Sequence, residues 1–122
     1  MPKKKIDFDT VREIALALPD VEESTAYGSP ALKVRGQLLA GIAINKSAEP
    51  GSLGVRVDFA HRAELIAADP DVYYVTDHYV NYPFVLVRLS RIHPDALRDL
   101  LGMAWRFVSA EKPARKRSVR KR

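Results

Sequence analysis

The chain has 122 residues, with 20 Lys+Arg, 15 Asp+Glu, a formal net charge of +5 and 0 Cys. With 47% hydrophobic and 29% charged residues, that is one domain of ordinary globular composition and not a disordered chain. The missing Cys excludes disulfides, thiolate nucleophiles and Cys-ligated metal.

Residues 1–5 hold Lys3, Lys4 and Lys5 and read as a disordered basic arm. No apolar stretch follows them as a secretion signal requires. Thr10 and Glu13 then form a T-x-x-E capping box. Val11, Ile14, Ala15 and Leu18 follow at helical spacing, and Pro19-Asp20 ends that first helix.

Tyr27-Gly28-Ser29-Pro30 is a turn cluster. Ala31–Arg35 alternates, with Leu32 and Val34 on one face and Lys33 and Arg35 on the other. Gly36-Gln37 is a tight break. Leu38–Asn45 is apolar on both faces, so it is expected to be a central strand; its run to Ile44 is far below the ~20 residues of a membrane span. After a polar loop, Leu53–Phe59 puts Leu53, Val55, Val57 and Phe59 on one face and Arg56 and Asp58 on the other.

Asp58 is placed to cap a helix over Ala60–Ala68, with Ala63, Ile66 and Ala67 inward and Pro70 stopping it. Val72–Thr76 and Phe84–Ser90 read as two more strands, Val85, Val87 and Leu89 alternating with Arg88 and Ser90. The last helix opens on Pro94 and Asp95, both favourable in a first turn. Its apolar stripe is Leu97, Leu100, Leu101, Ala104, Trp105 and Val108. The order is α-β-β-β-α-β-β-α. Short links between consecutive strands favour antiparallel pairing, giving an α+β fold of two layers: a five-stranded antiparallel sheet with helices on one face.

Residues 112–122 carry Lys112, Arg115, Lys116, Arg117, Arg120, Lys121 and Arg122 and read as a disordered basic tail. The two ends thus hold 10 of the 20 cations. The single domain over residues 6–111 keeps the other 10 and all 15 acids, so its own charge is −5.

Four features could carry function. Lys33, Arg35, Arg56 and Arg88 share outward strand parity, with Asp58 as the acid among them. This reads either as a cationic surface for phosphates or an acidic partner, or as the polar face that a one-sided antiparallel sheet must present. Tyr73, Tyr74, Tyr79, Tyr82 and Phe84 are concentrated in twelve residues. Such rings stack on bases when exposed and fill cores and turns when buried; Tyr79 and Tyr82, beside Asn81 in an expected loop, are the pair to be exposed. Asp77 and His78 are adjacent, and neighbours on a strand point to opposite faces. No G-x-S-x-G surrounds a Ser. His61, His78 and His93 lack metal-ligand spacing, and His61 and His93 suit polar caps at helix starts. Gly51–Gly54 lacks the Lys-Ser/Thr ending of a phosphate loop. No catalytic residue, cofactor or metal is therefore expected. The tail, the fourth feature, could bind nucleic acid, anionic lipid or an acidic protein.

Several segments together carry a resemblance. They are Ala17-Leu18-Pro19-Asp20-Val21-Glu22-Glu23, Tyr27–Gly36, Arg56-Val57-Asp58-Phe59, Ala67-Ala68-Asp69-Pro70, Thr76-Asp77-His78-Tyr79, Tyr82–Leu89 and the Trp-containing last helix. Over Val11–Ser109 the chain resembles the MmcQ/YjbR-like family. The resemblance implies an α-β3-α-β2-α fold of the secretion-chaperone-like type, and a DNA-binding label founded on a double-wing arrangement. It brings no catalytic motif, and the basic tail lies outside it.

The resulting expectation is a cytoplasmic, non-enzymatic protein that binds DNA or other nucleic acid with low sequence specificity. It would do so through Lys33, Arg35, Arg56, Arg88, Tyr79, Tyr82 and the tail cations, with no membrane partner. The alternative is a protein- or small-ligand-binding module that uses the open sheet face, as a homodimer in one form.

Overall fold

The computed structural model describes residues 6–26 and 28–110. Helix α1 (Phe8–Leu16) is followed by β1 (Val21–Ala26), β2 (Ser29–Val34), β3 (Gln37–Ile42) and β4 (Ser52–Arg56). Then come α2 (Phe59–Ala68), β5 (Tyr73–Tyr74), β6 (Phe84–Arg88) and α3 (Pro94–Ala110). The sheet order is β1-β2-β3-β4-β6-β5, antiparallel throughout. No helix among the described residues is long and apolar enough to cross a membrane.

The alternation read in the sequence becomes two cross-strand rows. Leu32, Ala40, Val55 and Val85 stand in register on the helix side and are buried. Helix α3 lays Leu97, Leu100, Leu101, Ala104 and Val108 onto that side. Burying each such leucine stabilises the fold by about 1.5–3 kcal/mol. Trp105 packs at the rim and donates its indole N–H to the Pro19 carbonyl at 2.8 Å, tying α3 to the end of the α1 connection. Helix α2 contributes only half-buried Leu65 and Ile66 to this core.

The second row, Ala31, Gly41, Gly54, Leu86 and Tyr74, runs across the opposite face. Leu86 is buried there although no helix covers it. The Tyr74 hydroxyl explains this. It starts on edge strand β5 and meets Ser52 Oγ on β4 at 2.6 Å, so the ring lies across the intervening β6 and roofs Leu86.

Five expectations are corrected. The sheet has six strands: Val21–Ala26 pairs with β2 through six consecutive residues, although Glu22, Glu23 and Thr25 are exposed and leave no apolar alternation to read. Helix α1 is capped by Asp7, whose Oδ1 accepts the Thr10 N–H, and not by Thr10; Ile6 just before the cap and Val11 four residues after it are both buried, as a hydrophobic staple requires. Phe59 does not continue the β4 face but opens α2, with nearly half its surface exposed. Ala63 and Ala67 are exposed, because α2 meets the sheet only at its β5–β6 margin. Arg35 is not on the sheet face. With Gly36 it makes the two-residue β2–β3 turn, at φ 50 and 85, a left-handed pair that suits the twist of a hairpin.

Candidate nucleic-acid interface

Three of the four sheet cations do share the face opposite the helices. Lys33 stands in register with Glu22, Arg56 with Phe84, and Arg88 with Ser52. They are spread from one side of the sheet to the other. Arg35, the fourth, sits in its turn and pairs with Asp20 at 3.3 Å.

Arg88 is held on every side. Its Nε and Nη2 donate to the Glu49 carboxylate at 3.0 and 2.8 Å, and its Nη1 to the carbonyls of Pro70 and Asp71 at 3.1 and 3.2 Å. Its guanidinium lies 4.2 Å from the centre of the Tyr74 ring. The Arg88 hydrogen bonds hold the Glu49 carboxyl below the usual carboxylate range, and the same bonds raise the Arg88 pKa. The Tyr74 hydroxyl also accepts the Glu49 N–H at 2.8 Å, and Ser47 and Thr76 hydroxyls meet at 2.8 Å. The β3–β4 and β5–β6 loops are thus joined over this end of the sheet. A shallow cleft of about 280 Å³ opens beside Arg88 and Glu49 and is lined also by Ile6, Asp7 and Phe8. Arg88 serves here as a staple between elements and has little donor capacity left for a phosphate.

Arg56 stacks its guanidinium 5.9 Å from the Phe84 ring. Lys33 is partly exposed, and its direct cross-strand neighbour is an acid. The cationic face expected from strand parity therefore exists in geometry, but Glu22 and Glu49 lie within it.

The aromatic segment divides. Tyr73 is buried in the core, and burial raises its phenol pKa. Tyr74 forms the roof described above. Tyr79 is half-buried, with its ring 4.8 Å from His78 in an edge-on contact. Tyr82 is 57% exposed. Asp77 and His78 are both exposed, with no hydrogen bond between them among the described residues. His61 Nδ1 lies 2.9 Å from Asp58 Oδ1, and Asp58 also accepts the His61 N–H at 2.7 Å, capping α2. That backbone bond is the first cause holding the Asp58 carboxyl below its usual range. His93 Nδ1 accepts the Asp95 N–H at 3.1 Å at the start of α3.

Arg62 is a residue the sequence did not single out. From α2 it donates to the carbonyls of Val80, Tyr82 and Phe84 at 3.0, 2.9 and 3.3 Å, and it stacks 4.8 Å from the Phe59 ring. It thereby fixes the aromatic loop beside Phe59, and Phe59, Val80 and Tyr82 form an exposed apolar group. The partners lie at least 18 residues away in sequence, so no local signal marks the arginine. The tail residues Lys112, Arg115, Lys116, Arg117, Arg120, Lys121 and Arg122 lie outside the described residues, as do Lys3, Lys4, Lys5 and Tyr27.

A family model described as YjbR matches residues 16–107. Proteins of Mycobacterium bovis and Mycobacterium tuberculosis, both described as uncharacterized, are 46% identical over 54 residues; the match spans 43% of this chain and only 42% of each relative's length. A crystal structure of a Deinococcus radiodurans protein with a DUF419 domain superposes with a TM-score of 0.72 at 21% identity, covering 91% of this chain and 84% of that one. At that identity the likeness is one of fold.

Proposed function

The chain belongs to the YjbR family, and on that premise we propose that it is a non-enzymatic protein that binds DNA or other nucleic acid with low sequence specificity. One observation carries the proposal: seven cations within residues 112–122 follow a domain whose own charge is −5. Phosphate contacts from such a segment supply affinity without reading bases. The body is the weaker contributor. Arg88 and Arg35 are paired with acids; Lys33 and Arg56, on the sheet face, would steer the backbone, and exposed Tyr82, with half-buried Tyr79 in the same loop, would stack on an unpaired base. Helix α3 spends its apolar stripe on the core, so it offers no reading head for a major groove.

The test is anisotropy of labelled DNA across a salt series, with the full chain and with a form ending at Glu111. The full chain should show a log–log salt slope of about −6, roughly 0.9 ion for each of the seven tail cations. The shortened form should lose most of the binding. A full chain that fails to bind at low salt would overturn the reading, and equal binding by the two forms would move the site to the body. Where the tail carries the binding, exchanging Arg56 for Glu should cost less than removing the tail.

A further inference from the structure

Strand β1 lies at one margin of the sheet, and β2 is its only strand neighbour among the described residues. Two tight hairpins fix which of its backbone groups face outward. Ala26 and Ser29 close the two-residue β1–β2 connection, and Val34 and Gln37 close the β2–β3 turn. In a two-residue hairpin the closing pair is hydrogen-bonded, and bonded and non-bonded pairs then alternate. Glu22, Ser24 and Ala26 therefore bond to Lys33, Ala31 and Ser29. Val21, Glu23 and Thr25 turn their N–H and C=O groups away from the sheet. An edge of this kind is a template for another strand.

We propose that the occupant is a second copy of this chain, added antiparallel along β1 about a two-fold axis through Ser24. A two-fold pairing that continues the sheet must keep each face on its own side, so it joins residues of equal parity. Centred on Ser24, it sets Glu23 against Thr25 and Glu22 against Ala26, twice each, and uses the outward groups of 23 and 25. Centred on Glu22 or on Glu23, it would set two like carboxylates directly opposite, which is destabilising. Glu23 shares Arg12 of α1 with Asp9 on the helix side, which offsets part of the negative charge at the seam. The product is one continuous sheet of twelve strands, from the six in each copy. Two six-residue strands make a small contact beside the roughly 1,200–2,000 Å² of a standard interface, so the dimer should dissociate on dilution.

The experiment is sedimentation equilibrium of the full chain up to about 1 mM, where even millimolar association is visible. The expected weight-average mass climbs from 13.7 kDa toward twice that value. Thr25→Pro removes one outward N–H without touching the bonds to β2, a place where an edge strand tolerates proline; it should remain monomeric with an unchanged unfolding midpoint. Because the chain has 0 Cys, Ser24→Cys is a clean reporter of the axis. It should form a disulfide-linked dimer under mild oxidation, while Glu23→Cys should not. A wild-type chain that stays monomeric at the highest concentration overturns the proposal. So does a folded Thr25→Pro chain that dimerises as the wild type does, or cross-linking that favours position 23.

Discussion

Arg62 shows how much one side chain can organise at this surface. Its guanidinium replaces water at two loop carbonyls, of Val80 and Tyr82, and at that of Phe84 at the start of β6, and it lies against Phe59, which joins α2 to the β5–β6 loop. Arg62→Met keeps most of the stem's packing and removes the donors. The expected cost is on the order of 1–2 kcal/mol, because the freed carbonyls regain water. Hydrogen exchange should show faster opening of Val80–Phe84, with β2 and β3 unaffected; uniform loss of protection would mean that the arginine supports the whole fold. At this scale the sequence was legible where a residue obeys strand parity. Lys33, Arg56 and Arg88 were assigned to one face by alternation, and they share it. Arg35 broke the rule because the chain turns left-handed there. The partners of Arg88 and Arg62 were illegible for a different reason: contacts such as Arg88 to Glu49 span 39 residues and depend on the finished sheet.

At the scale of elements, Gly41 and Gly54 face one another across β3 and β4, yet they should respond differently to a methyl group. A Cβ on Gly41 would sit 3.3 Å from both Ala31 Cβ and the Pro30 carbonyl, whereas one on Gly54 would meet Gly41 O at 3.6 Å and Leu86 Cδ2 at 4.0 Å. Gly41→Ala should destabilise by about 1–3 kcal/mol through overpacking. Gly54→Ala should be neutral or gain up to about 1 kcal/mol from the restricted unfolded chain. Thermal unfolding of the two variants decides it. Acid sensitivity belongs to the loops and caps. Asp58 is held below its usual range by the His61 N–H, and Glu49 by Arg88. Since both folded pKa values are lowered, the unfolded state takes up protons first. The stability these groups add is complete above the ordinary carboxylate range and is lost as pH falls through their folded values. Between neutral pH and about pH 3, the Asp58→Asn, Glu49→Gln double variant should therefore lose less of its unfolding midpoint than the wild type. The elements with an apolar period, α3 above all, were legible; β1 was not, because an edge strand that exposes Glu22, Glu23 and Thr25 has no period for a core to impose.

For the whole molecule, the charge is segregated along the chain, and the two proposals meet in that fact. A monomer brings one tail of seven cations to a polyanion, while its body of −5 is repelled. Pairing through β1 would put two tails on one particle, and the second contact on the same strand becomes intramolecular. Linked contacts of this kind raise apparent affinity by a factor of about 10²–10⁴ when the geometry allows both to engage. Duplex length then becomes the diagnostic. On a DNA too short for two tails, wild type and Thr25→Pro should bind equally, since each tail acts alone. On a long duplex, at protein concentrations where the wild type is dimeric, Thr25→Pro should bind at least about tenfold more weakly. Equal binding on both lengths would leave tail contact intact and remove the role assigned to the dimer. A loss on the short DNA as well would show that the proline acts on the body itself, and that the β1 edge takes part in the contact with nucleic acid.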